Sequence, residues 1–147
     1  SADSDYEAYE LRCAELEKLN EGYLEEFDEW LAATGLKDKT IAGHVDNVAF
    51  FLNHFLQYYD ALPMEEGPAH IDEFLGDWFI RKAMWSSAAT IRQTAASLKK
   101  FYKCMYEKGH VGQADLDEVL SIVKQNLNKW VKAYQDYEDY YSQDFPF

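Results

Sequence analysis

Apolar residues recur at intervals of three and four along almost the whole chain, and no other feature restricts the fold as much. At 3.6 residues per turn this spacing lines one side of a helix, whereas a strand alternates with period two. Tyr9, Cys13, Leu16, Leu19 and Tyr23 form the first such stripe, and Leu24, Phe27, Trp30 and Leu31 the next. A long stripe runs through Ile41, Val45, Val48, Leu52, Phe55 and Leu56, and another through Ile71, Phe74, Leu75, Trp78, Phe79 and Ala83. The last two carry Ile91, Ala95, Leu98, Tyr102 and Met105, then Leu116, Val119, Leu120, Val123, Leu127, Trp130, Val131 and Tyr134.

Breaks fall between the stripes. Asn20 and Gly22 mark an end or a kink, Gly35 after Thr34 a C-terminal stop, and Pro63, Gly67 and Pro68 a loop. Ser86 or Ser87 supplies an N-cap, and Gly109 and Gly112 bracket a short turn. With only 7 Gly and 3 Pro in 147 residues, the chain lacks the turns that a sandwich of many short strands requires. The expected fold is therefore a single all-α orthogonal bundle of five to six helices. It divides into an acidic N-terminal helix (1–21), a helical body (22–135) and an acidic, aromatic tail (136–147). The tail loses the helical period, reads as a natural chain end, and is expected to order only where its tyrosines and Phe145 dock.

Hydrophobic residues at 48% and aromatics at 16% exclude a disordered chain. No apolar run approaches the roughly 18 residues of a membrane span, and the acidic N-terminus is no signal peptide, so a cytoplasmic protein without membrane contact is expected. Cys13 and Cys104 lie among apolar neighbours and read as two reduced buried thiols, with a disulfide between them as the alternative.

Charge divides the chain unevenly. The net charge is −13, yet residues 79–108 hold Arg81, Lys82, Arg92, Lys99, Lys100, Lys103 and Lys108 against Glu107 alone. Residues 1–30 hold eleven acids against Arg12 and Lys18. At about 100° per residue, Arg92, Lys99 and Lys103 fall within about 20° of one line on their helix, flanked by Lys100. Evenly spaced cations of this kind can track a phosphate backbone. They can equally form a solvated face, or pair with acids on neighbouring helices.

The order of signals from Tyr23 to Gly109 resembles a known family. A short aromatic-ended helix leads to Gly35-Leu36-Lys37-Asp38-Lys39-Thr40-Ile41 and a long helix with Val45, Val48 and Phe51-Leu52. Ile71-Asp72-Glu73-Phe74-Leu75 follows a loop. Next come Ser87-Ala88-Ala89-Thr90-Ile91-Arg92, Leu98-Lys99-Lys100-Phe101-Tyr102 and Glu107-Lys108-Gly109. This is similar to the SAM-like, N-terminal core-binding domain of phage-integrase-type tyrosine recombinases.

The resemblance implies one jaw of a DNA clamp whose second and fourth helices lie against the duplex. Its residues here would be Lys37, Lys39, Thr40 and His44, then Ser87, Thr90, Arg92, Lys99 and Lys103. The cations would make Coulombic contacts with phosphate, while hydroxyls and helix N-termini would donate hydrogen bonds. The family's cleavage residues are missing: His110 is not followed by the required Arg, and no Arg, Lys and nucleophilic Tyr cluster is recognisable. No enzyme activity, metal or cofactor is expected. Paired acids such as Glu25-Glu26, Glu65-Glu66 and Asp117-Glu118 lack a convergent His, and the histidines lack zinc spacing. Trp30, Trp78, Trp85 and Trp130 read as core and rim aromatics, with Trp85 an alternative interface anchor.

Two readings remain open. One is a non-catalytic DNA-binding module in a recombination or integration context. The other is a protein-interaction or regulatory helical domain whose acidic N-terminal helix and tail meet a basic protein or a second copy.

Overall fold

The computed structural model describes residues 1–143, and every regular element in that span is helical. Helix α1 (Ala2–Ala33) is followed by α2 (Asp38–Phe50), which continues into a π turn over Phe51–Phe55. A 3₁₀ segment, Met64–His70, leads into α3 (Ile71–Glu73), a second π turn (Phe74–Trp78) and α4 (Phe79–Lys82), together one irregular rod. Helices α5 (Ala88–Glu107) and α6 (Gln113–Tyr141) complete five rods, within the expected range.

Several local signals act as the sequence suggests. Gly35 and Gly109 follow the last residues of α1 and α5 with φ of 85° and 81°, a conformation that costs a glycine nothing. Ser87 caps α5 by accepting from the Thr90 amide, and the Thr90 hydroxyl accepts from the Ser87 amide in return. Both cysteines are free thiols, Cys104 buried and Cys13 half-buried.

Three boundaries differ. Helix α1 runs unbroken through Asn20 and Gly22, so residues 1–21 are the outer half of one helix. Asn20 is only 1% exposed, and its Nδ2 donates to Asn53 Oδ1 at 2.8 Å. What reads as a stop signal is a buried polar contact on the core side of the helix, in register with Leu16, Phe27 and Leu31. At the other end, residues 136–141 continue α6 as helix, with Tyr137 and Tyr141 rings 4.6 Å apart. One-turn spacing of tyrosines replaces the aliphatic period there. Phe145 lies outside the described residues.

The third difference is the pair of π turns. Each inserts one residue into a helix that the periodicity draws as plain α. The insertion turns adjacent aromatics inward together, so that Phe51 and Phe55 both reach Phe74, at 5.0 and 4.9 Å between ring centroids. Phe55 also meets Trp78 edge-on at 5.3 Å. Facing π turns thus make the aromatic centre of a core that α1, α5 and α6 close with Phe27, Leu31, Leu98, Phe101, Val119 and Val123. No helix among the described residues is long and apolar enough to cross a membrane.

Candidate nucleic-acid interface

Helix α5 is amphipathic, with Ile91, Ala95, Leu98, Phe101, Tyr102 and Met105 buried and Arg92, Lys99, Lys100 and Lys103 exposed. Counting about 100° per residue, the Arg92–Lys99–Lys103 line lies on the middle of the exposed arc. Helix α1 meets α5 at Phe101, whose ring stands 5.3 Å from Phe27, and at Cys104, against the Glu26 carbonyl. Those two positions point about 120–180° away from the basic line. The acid-rich helix is therefore packed against a different side of α5 from its cations.

None of Arg92, Lys99, Lys100 and Lys103 forms an ion pair among the described residues, whose pairs are Arg12–Glu15, His70–Glu73, Arg81–Asp77, His110–Glu26 and Lys132–Asp136. Of the other cations in the basic stretch, Arg81 forks onto both oxygens of Asp77, at 3.0 and 2.9 Å. Lys82 stands over the Tyr58 ring, 5.2 Å from its centroid. The uncommitted positive charge of the stretch is concentrated on α5.

Helices α2 and α5 are joined by a polar contact buried at their crossing. The Ser97 hydroxyl donates to the Gln93 carbonyl at 3.0 Å, so it must accept from its other two partners. These are Asn47 Nδ2 at 3.1 Å and His44 Nδ1 at 2.7 Å. His44 is thereby held as the tautomer with its proton on Nδ1, leaving Nε2 free. Burial, and secondarily the charge of Lys100, push its pKa below the ordinary histidine value. At neutral pH His44 is thus a neutral ring at the crossing of α2 and α5.

The expected site residues do not all converge. Lys37, Thr40 and His44 share one side of α2, while Lys39 points about 140° round from His44. Lys37, Lys39 and Thr40 are all exposed at the start of α2. The Ser87 and Thr90 hydroxyls are engaged by the cap of α5, and Thr90 also donates to the Trp85 carbonyl at 2.9 Å. What this end of α5 offers an anion is free backbone N–H groups and a positive dipole end. Lys100 stands close enough to α2 for its charge to act on His44, second to burial. In the sequence it stands beside the basic line, and its influence on α2 arises only once α2 and α5 cross.

Trp85 sits at the rim beside this end of α5, half-exposed and edge-on to Phe50 at 4.9 Å, after a fully exposed Met84. No group of three or more His, Cys, Asp or Glu among the described residues is placed to hold a metal. Comparison with protein-family models, curated proteins and solved structures found no match to this chain.

Proposed function

We propose that the chain is a non-catalytic module that grips duplex nucleic acid through α5, as the resemblance to recombinase core-binding domains implies. One observation carries the reading: among the described residues, four cations on a single exposed helix face remain unpaired in a molecule of net charge −13. In so acidic a protein, neutralisation by a neighbouring carboxylate is the easy outcome, and leaving the face bare keeps its charge for an outside partner. Arg92, Lys99 and Lys103 would track successive phosphates along one strand, Lys100 would widen the contact toward α2, and the start of α5 would place its amides on a phosphate oxygen. Contacts of this sort give affinity and register with little sequence preference.

The test is fluorescence anisotropy with a labelled duplex across a salt series. Binding in the micromolar range at about 50 mM salt, falling steeply with added salt, is the expected result. Reversal of Arg92, Lys99 and Lys103 to Glu should abolish it. No binding up to tens of micromolar at that salt would reject the reading.

A further inference from the structure

Between α2, α4 and α5 lies a cavity of about 310 Å³, at the small end of the roughly 300–1,000 Å³ that ligand pockets occupy. Thr94, the residue that α5 contributes to it, points about 160° round the helix from Arg92. The cavity therefore lies across α5 from the basic line.

Its walls are aromatic. Phe50, Phe79 and Trp85 line it, with Trp85 edge-on to Phe50 at 4.9 Å and to Phe79 at 6.3 Å between centroids. His54 extends the wall by stacking on Phe50 at 5.2 Å. Trp85 is 53% exposed, yet its backbone is tied down on both sides. Its carbonyl accepts from the Thr90 hydroxyl at 2.9 Å, and the neighbouring Ser86 hydroxyl donates to the Ile80 carbonyl at 3.1 Å. The indole is thus a pre-organised rim, which lowers the entropy that a ligand must overcome.

The polar lining offers acceptors. Asp46 has no ion-pair partner among the described residues, and no lysine or arginine lines the cavity. Asn47 gives its Nδ2 to Ser97, which leaves its Oδ1 uncommitted. Thr94 is only 2% exposed. Thr90 and Ser97, on the same helix, donate to backbone carbonyls, whereas the Thr94 hydroxyl bonds nothing among the described residues. The buried side-chain atoms sealed from solvent without a partner are Asn20 Oδ1, Gln57 Oε1 and Trp78 Nε1. The Thr94 oxygen is not one of them, so it opens onto the cavity that Thr94 lines. A hydroxyl left unbonded at such depth costs stability, and a donor brought by a ligand would satisfy it.

We propose that this cavity binds a small arylalkyl primary amine, its ring against Phe50 and Trp85 and its ammonium on Asp46, Asn47 and Thr94. A primary ammonium carries three donors and no acceptor, which suits three acceptor side chains. The ring gains offset or edge-on contacts with the aromatic wall, and the charge is attracted to the ring faces. A carboxylate ligand would meet Asp46 with no cation on the lining to hold it. The site stands apart from the proposed duplex contact and does not depend on it.

Isothermal titration calorimetry of the whole chain with phenethylamine, and with 3-phenylpropionate as its anionic counterpart, tests the inference. One amine should bind per chain with a dissociation constant of about 0.1–1 mM, and 3-phenylpropionate should not bind. Asp46→Asn should weaken the amine about tenfold by removing the charge that faces it. Thr94→Val should weaken it by a similar factor without lowering the melting temperature, because the hydroxyl has no protein partner to lose. Glu7→Gln, which removes an equal charge from the far half of α1, should leave the affinity unchanged and so excludes attraction to net charge alone. Saturating amine should leave any duplex affinity of α5 unaltered. Absence of binding up to about 10 mM would overturn the proposal. So would equal binding of 3-phenylpropionate, or an affinity indifferent to either Asp46→Asn or Thr94→Val.

Discussion

Trp130 Nε1 donates to Asp72 Oδ1 at 2.7 Å, and the same indole ring lies directly over Gly76. The hydrogen bond fixes α6 against the α3–α4 rod, and the glycine makes room for the ring that it fixes. A Cβ at Gly76 would stand 2.8 Å from Trp130 Cδ1. Gly76→Ala should destabilise the protein by about 1–3 kcal/mol, because the ring cannot yield without losing Asp72. Asp72→Ala should cost about 1–3 kcal/mol by stranding a buried N–H. Urea unfolding monitored by tryptophan fluorescence measures both.

Tyr102 and Gly67 form a second such pair. The fully buried Tyr102 hydroxyl donates to the Met64 carbonyl at 2.8 Å, and a Cβ on Gly67 would come within 2.0 Å of that oxygen. Gly67→Ala alone is expected to be severely destabilising. Tyr102→Phe alone should cost about 1 kcal/mol through the unpaired carbonyl. In the double variant the closest clash is gone while Phe51 Cε2 stays 2.9 Å away, so the combined loss should fall short of the sum. Equal additivity would mean that the loop relieves the clash by moving elsewhere.

His44 makes stability depend on pH with a definite sign. Its folded pKa is lowered, so the unfolded chain binds the proton more readily. The contribution is complete above the ordinary histidine pKa of about 6.5 and is lost as pH falls through the lower, folded value. Subtracting the melting profile of His44→Gln from that of the native protein between about pH 7.5 and 5 should isolate this loss on the acid side. Lys100→Ala should move the His44 pKa, followed by NMR titration, up toward its ordinary value. A His44 titration indifferent to Lys100 would break the link between α2 and the basic face.

The two thiols should differ in reactivity. Burial pushes the Cys104 pKa up to about 11, with the carbonyl of Glu26 beside its sulfur, while Cys13 is half-buried on α1. A thiol reagent at neutral pH should therefore modify one equivalent rapidly, at Cys13, and the second only on unfolding. The Cys13→Ser variant should show no fast phase.

If α5 meets phosphates as proposed, its cations should act one by one. Single replacements of Arg92, Lys99 or Lys103 by Ala should each reduce the slope of log affinity against log salt by about one. The same change at Arg81, already held by Asp77, should leave the slope nearly unaltered.

Fold class, most helix ends and the basic stripe are legible in the sequence because each depends on neighbours within one or two turns. Ser87, Gly35 and Gly109 announce themselves through local backbone needs, and Arg92, Lys99 and Lys103 align by helical period alone. Tertiary packing decided the rest. Asn20 looks like a breaker until Asn53 is placed beside it, and nothing local asks for π turns at Phe51–Phe55 and Phe74–Trp78 until those rings must share one core. The lowered pKa of His44 likewise follows from burial against another helix and from Lys100 on it, and the lack of ion pairs on the basic face among the described residues from where the acids of α1 come to rest. Periodicity tells which side of a helix turns inward. Which side chains then meet, and which charges are left without a partner, depends on contacts between residues far apart in the chain.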